Sequence, residues 1–296
     1  MTVITPPVAT ATVPTAAPFW RLKGFPLIPV LILLFIAFVA IFAEVLAPHD
    51  PQIGSLARRF KPPFWMEGGS MIYPLGTDHV GRDVLSRLIF GARVSMVVGI
   101  TAVLVAGGIG TLLGILSGYL GGWADQVVMR VTDTWLALPA LTFAIFLAAI
   151  VGPSELNIIL ILGLVYWTRY ARVIRSEVLS LKQREFVRLA IVAGCSKSLI
   201  MRRHILPNVI NSAVVLATLM LGVVIVTEAS LSFLGVGVPP PKPAWGLMMA
   251  DGKKGLMVGY WWLTVFPGIC IMLMVLSANL LGDWLRVKLD PQLRQL

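Results

Sequence analysis

Charge is scarce in this sequence. Only 13% of its 296 residues are Asp, Glu, Lys or Arg and 57% are hydrophobic, whereas an ordinary soluble domain is about 25% charged. A water-facing surface cannot be assembled from that composition, so a soluble globular class is excluded. Alternation is missing as well: the apolar runs are continuous, which argues against the alternating strands of about 10 residues that build a transmembrane barrel. Cysteine is limited to Cys195, in a polar connection, and Cys270, inside an apolar run; this predicts no disulfide and no metal site. The three histidines, His49, His79 and His204, all fall between apolar runs. That placement disfavours an intramembrane serine protease, and Gly114-Ile-Leu-Ser117-Gly118 has one residue too many for a Gly-x-Ser-Gly signature. An ATP-binding loop is also lacking, because Gly246 to Gly252 followed by Lys253-Lys254 has the wrong spacing and no Ser or Thr after the lysine. Any ATP hydrolysis therefore belongs to another chain, and no catalytic residues are assigned.

What is present is a series of long apolar runs. Crossing the hydrocarbon takes roughly 20 residues as helix, because each residue rises about 1.5 Å and the core is about 30 Å thick. Runs at Pro26–Ala47, Ser95–Leu120, Val131–Val151, Asn157–Trp167, Val209–Gly235 and Tyr260–Leu281 predict an all-α polytopic membrane protein with six transmembrane helices. Val45-x-Ala47 resembles a signal-peptide cleavage site, but the first run exceeds the usual apolar length of about 7–15 residues, so an uncleaved helix is expected. The expected organisation is a disordered cytoplasmic tail over 1–24, a first helix over 25–47, an external loop over 48–94, a five-helix core over 95–284 and a cytoplasmic tail over 285–296. The tail assignment rests on residues 1–19, which are uncharged, rich in Thr, Ala and Pro, and poor in surface to bury.

A net charge of +10 could suggest nucleic acid, but the basic residues lie between apolar runs rather than on one stripe, so membrane topology explains them and no nucleic-acid partner is expected. Between the fourth and fifth runs, basic residues from Arg169 to Arg203 face only Glu177 and Glu185. By the positive-inside rule that loop is cytoplasmic, and six crossings then put both ends there. The loop before Arg93 is consequently external although it holds Arg58, Arg59, Lys61, Arg82 and Arg87; long loops follow the rule weakly. Within it, Val84, Leu85, Leu88 and Ile89 at helical spacing predict an amphipathic helix over Val84–Ser95, lying along the interface.

The most informative stretch runs from Glu185 to Gly194 and on to Leu206-Pro207. Phe186, Leu189, Ala190 and Ala193 recur at i, i+3, i+4 and i+7, giving one apolar helix face with Arg184 and Arg188 on the other. Gly194 is placed to end that helix, and Ser196 to cap a second one that Pro207 closes. Such a face either docks on a partner or lies on its own membrane surface.

These residues resemble the loop of the membrane subunits of binding-protein-dependent ABC importers, which reads Glu-Ala-Ala, a glycine after a short gap and a later Leu-Pro pair. The match falls at Glu185, Ala190, Gly194, Leu206 and Pro207, with Phe186 and Val187 in place of the two alanines. Further blocks resemble the dipeptide, oligopeptide and nickel permeases: Leu75-Gly-Thr-Asp78 through Gly81-Arg82-Asp83 to Arg93, then Leu231-Ser-Phe-Leu-Gly235 with Pro239 to Pro241, and Asn279-Leu-Leu-Gly-Asp283-Trp-Leu-Arg286 with Leu289-Asp-Pro291. The resemblance implies a type I importer permease fold in the cytoplasmic membrane, moving di- or oligopeptides or a related small solute. It also implies a second homologous permease subunit, two cytoplasmic ATPase subunits that hold ATP and Mg, and an extracytoplasmic solute-binding protein, with no cofactor on this chain. The loop helix carrying Glu185, Phe186, Arg188, Leu189 and Ala190 would dock on the ATPase. A stand-alone secondary transporter is the rival reading, although no inverted repeat is visible.

Four other features carry candidate roles. Asp78, Arg82, Asp83 and Arg87 could form a metal or catalytic cluster, but mutual pairing and helix capping are expected. Gly110, Gly114 and Gly118 form a small-residue stripe expected to pack within the permease pair, with a lipid-facing stripe as the alternative. Asp133 is expected to pair with Arg130. Glu228, an acid in an apolar run, either lines the solute route or fills a structural hydrogen-bonding role.

Overall fold

The computed structural model describes residues 25–289; the expected tail over 1–24, and residues 290–296 of the other tail, lie outside it. Helix is the form in which an apolar segment can satisfy its own backbone in hydrocarbon, and the described residues form α-helices and no β-strand. Four segments are long and apolar enough to cross a membrane: α3 (Val84–Leu120), α6 (Glu155–Leu181), the continuous stretch Lys197–Phe233, and α11 (Trp262–Leu289). A fifth crossing requires α4 (Gly122–Leu136) and α5 (Ala140–Val151) taken together. The opening helix α1 (Leu27–Ile41) has 15 residues and continues after a turn at Phe42 as α2 (Ala43–Leu46). The expected count of six is therefore approximate.

Several expected boundaries are corrected. The segment 84–95 is not a separate interfacial helix but the opening of the 37-residue α3, capped by the Asp83 carboxylate, which accepts from the Ser86 amide at 2.9 Å. Its first turns bury Arg87 along with Val84 and Leu88, so the charge that suggested a wet face is an internal one. The third run is broken at Pro139, whose ring disfavours helical backbone in the residue before it, and α4 meets α5 at 91°. The fourth run, expected to be the shortest, extends through its arginines to Leu181. It can do so because Arg175 is paired with Asp125 at 2.5 Å and Arg172 with Asp133 at 2.6 Å, both acids on α4. Asp133 therefore pairs across helices rather than with Arg130. The connection between α9 and α11 holds a further helix, α10 (Trp245–Leu256), that the apolar runs do not predict.

The centre of the fold is the crossing of α3 on α6. A Cβ on Gly110 would stand 2.3 Å from the Trp167 carbonyl oxygen, on Gly114 2.8 Å from that of Ala171, and on Gly118 2.9 Å from the Val178 Cβ. The stripe thus packs as expected of small residues, but against this chain's own α6 rather than a partner permease.

Candidate functional site

The loop after α6 folds into α7 (Glu185–Val192), then α8 (Lys197–Ile200), which passes through a π-helical turn (Met201–Ile205) into α9 (Leu206–Phe233). Local chemistry fixes each joint. Glu185 in the first turn of α7 complements the positive helix N-terminus. At the other end Gly194 has φ +78°; its amide donates to the Ile191 carbonyl at 3.0 Å and the Cys195 amide donates to that of Ala190 at 3.1 Å. That pair of bonds is a Schellman cap, and its left-handed residue favours glycine. The Ser196 hydroxyl accepts from the Leu199 amide at 3.3 Å, capping α8 as expected. Pro207 does not close α8; it occupies the first turn of α9, where a missing N–H costs little.

The faces of α7 divide differently from the sequence pattern. Val187 and Ala190 point inward, joining Ile174, Val178, Ile200, Ile205 and Val209 in one apolar cluster. Ala190 is therefore a foundation residue rather than part of an outward face. Phe186, Leu189, Ile191 and Val192 remain outside, with Leu189 at 67% and Val192 at 85% exposure. Arg188, Gly194 and Pro207 are also exposed, and Leu206 sits at the margin. Sequence reasoning missed Val192, which periodicity placed off the main stripe. Beside α7 a groove of about 1260 Å³ opens between α6, α9 and α11, lined in part by Glu177, Asn208, Asn211, Ser212 and Arg286.

Glu228 lies near the other end of α9 at 1% exposure. Its Oε1 accepts from the Ser232 hydroxyl at 2.7 Å, and the Ser232 oxygen accepts from the Val238 amide at 3.1 Å. The carboxylate thereby ties the end of α9 to the loop that follows.

At the same end, Asp78 accepts from the Arg82 amide at 2.9 Å, from Arg82 Nε at 2.7 Å and from Arg87 Nη1. Asp251 of α10 completes the network, 3.5 Å from Arg82 and 3.3 Å from Arg87; nothing in the local sequence pointed to it. Burial alone would raise the pKa of the Asp78 carboxyl, but the Arg87 charge and the amide and guanidinium of Arg82 outweigh burial and hold it below the ordinary value. Asp78, His79 and Asp251 could bring ligand atoms within 4.8 Å of one another. Both carboxylates already face two guanidiniums, which oppose a cation there.

Comparison with known proteins places these features in a lineage. Residues 110–295 match the model of the binding-protein-dependent transport system inner membrane component. The chain is 40% identical over 264 residues to the di/tripeptide transport system permease protein of Pseudomonas aeruginosa, covering 89% of this chain and 87% of that one. It is 41% identical over 277 residues to the dipeptide transport system permease protein of Escherichia coli, covering 94% and 92%. It is also 40% identical over 263 residues to the glutathione transport system permease protein of Pectobacterium atrosepticum, covering 89% and 85%.

Proposed function

This chain belongs to the family of binding-protein-dependent transport system inner membrane components, and on that premise we propose that it passes di- or tripeptides, or a peptide-like solute such as glutathione, across the inner membrane. It is a multi-pass permease subunit of an ABC importer. It carries out no bond chemistry; ATP and Mg are held by two cytoplasmic ATPase subunits. A second, homologous permease completes the channel, and an extracytoplasmic solute-binding protein delivers the solute. The basic connection after α6 faces the cytoplasm, with both termini on that side.

The observation that carries the coupling role is the outward apolar surface of α7. Phe186, Leu189 and Val192 are exposed on a short helix whose other face, Val187 and Ala190, is packed into the body of the permease. A helix anchored on one side and apolar on the other is suited to receive force from a docked ATPase and pass it to α6 and α9. Glu185, Arg188, Gly194, Leu206 and Pro207 frame that surface. The groove lined by Glu177, Asn208, Asn211 and Ser212 offers polar groups beside the same helices and is our assignment for the inner part of the solute route. Glu228, enclosed and committed to Ser232, takes the structural role. Reconstitution of the four-subunit complex in vesicles with its binding protein tests the assignment. ATP-dependent accumulation of a labelled dipeptide is expected, and accumulation that needs no ATPase subunit would point to a secondary transporter instead.

A further inference from the structure

We propose that the loop over residues 60–66 is a membrane-interface anchor, in which Phe64 and Trp65 lodge in the headgroup–acyl boundary of the leaflet at the N-terminal end of α11. The inference rests on α11 being a span and not on which side of the membrane the loop faces.

The placement comes from ring contacts. Phe60 stacks on Tyr260, with centroids 4.4 Å apart and planes 12° apart, and Trp65 meets Phe266 edge-on at 6.2 Å. Tyr260 and Trp261 directly precede α11, and Phe266 lies four residues into it, about 6 Å along the axis at 1.5 Å per residue. Trp65 is therefore level with the start of the second turn of a membrane-crossing helix, not raised above it on a water-exposed lobe. Its environment is set by the bilayer that surrounds that turn.

The loop is built to hold this position. The Lys61 amide donates to the Thr77 hydroxyl at 2.8 Å, the Thr77 amide to the Lys61 carbonyl at 2.9 Å, and the Phe64 amide to the Pro74 carbonyl at 3.2 Å. Pro62 and Pro63 stiffen the approach, and a Cβ on Gly69 would fall 2.2 Å from the Pro63 carbonyl oxygen, so the hairpin closes tightly on itself. Two large rings remain outside this scaffold: Phe64 is 48% and Trp65 50% exposed. Rigid presentation means that little further ordering is lost when they enter the interface.

Chemistry selects the occupant. Tryptophan and tyrosine concentrate at the membrane–water boundary, where an apolar ring and a polar edge are both accommodated. Arg59 and Lys61 lie just before the rings, whereas Arg58 is taken up by the Tyr73 hydroxyl at 2.6 Å; cations at headgroup level are attracted to phospholipid phosphates. The interfacial role that periodicity assigned to residues 84–95 thus falls to residues 60–66.

The test places a nitroxide at Trp65→Cys, in a full-length chain carrying Cys195→Ser and Cys270→Ala, within the assembled complex in phospholipid nanodiscs. Collision with oxygen, which concentrates in lipid, is compared with collision with a water-soluble nickel chelate. Oxygen collisions exceeding nickel collisions are expected. Dominance of nickel would place the residue in water, and suppression of both would place it under another protein subunit; either result overturns the anchor. If the labelled chain does not assemble, Trp65→Phe preserves the packing. Phospholipid brominated near the headgroup should then quench wild-type tryptophan fluorescence more than that of the variant, and equal quenching would also overturn the proposal.

Discussion

Gly110 of α3 lies so close to Trp167 of α6 that a Cβ on the glycine would stand 2.3 Å from the tryptophan's carbonyl oxygen. A backbone atom cannot swing aside as a flexible side chain can, so any larger residue must push the two helices apart. Gly110→Val should lower the stability of the detergent-solubilised permease by about 2 kcal/mol, the usual scale of overpacking. Gly108→Val on the same helix, where nothing lies within 4 Å of the added carbon, should be tolerated. Equal thermal denaturation of the two variants would contradict the crossing.

The Asp78 network should be sensitive to loss of one partner. Asp78→Asn leaves the Arg87 guanidinium buried with weaker compensation, a change that costs about 3–5 kcal/mol when a buried pair is broken. The sign of the pH dependence follows from the lowered Asp78 pKa: the carboxylate's contribution is fully present above its unfolded value of 3.8 and is lost as pH falls from there through the lower folded value. Thermal melts of wild type should hold a near-constant margin over Asp78→Asn from pH 7 to about 5, with the margin shrinking below about 4. A margin that shrinks already at pH 6 would assign the effect to another group.

Glu228→Gln should change uptake little, within about twofold, because the amide oxygen can still accept from Ser232. Glu228→Leu removes the acceptor and should cost about 1–3 kcal/mol by stranding the Ser232 hydroxyl. A large rise in the half-saturating solute concentration for Glu228→Gln, in a complex of wild-type stability, would return Glu228 to the solute route.

Topology is checked by reporter fusions at Lys197 and Gly152. The α6 helix separates them, so the two reporters should lie on opposite sides of the membrane, with Lys197 on the cytoplasmic side. Finding both on one side would remove the basis for calling the basic loop cytoplasmic.

Much of this was legible from residue types alone. Continuous apolar runs declared a helical membrane protein, Gly194 and Ser196 declared caps that the structure contains, and Gly110, Gly114 and Gly118 declared a close helix approach. Identity of the neighbour was not legible, because a stripe of glycines fits any backbone of the right shape. Charges misled in a consistent way. Arg172 and Arg175 resembled the end of a span because their partners Asp133 and Asp125 become neighbours only through folding; the pairing of Arg87 with Asp78 was legible nine residues apart, but its burial was not, because Asp251 reaches it from α10 only in the folded chain. The inward turn of Ala190 was hidden for a related reason: a helix with apolar residues on several sides does not specify which of them the rest of the chain will cover.

The coupling proposed for the outward surface of α7 is tested by solute-stimulated ATP hydrolysis in the reconstituted complex carrying Gly194→Val. Nothing lies within 4 Å of the added carbon, so the variant is expected to insert with its membrane spans unchanged, but a branched residue in left-handed backbone costs roughly 1–2 kcal/mol and shifts α7. Stimulated hydrolysis should fall by about tenfold, the equivalent of ~1.4 kcal/mol of lost coupling, with nucleotide binding by the isolated ATPase unchanged. Hydrolysis and uptake both near wild type would contradict the account and leave α7 as a helix that merely rests on the membrane surface.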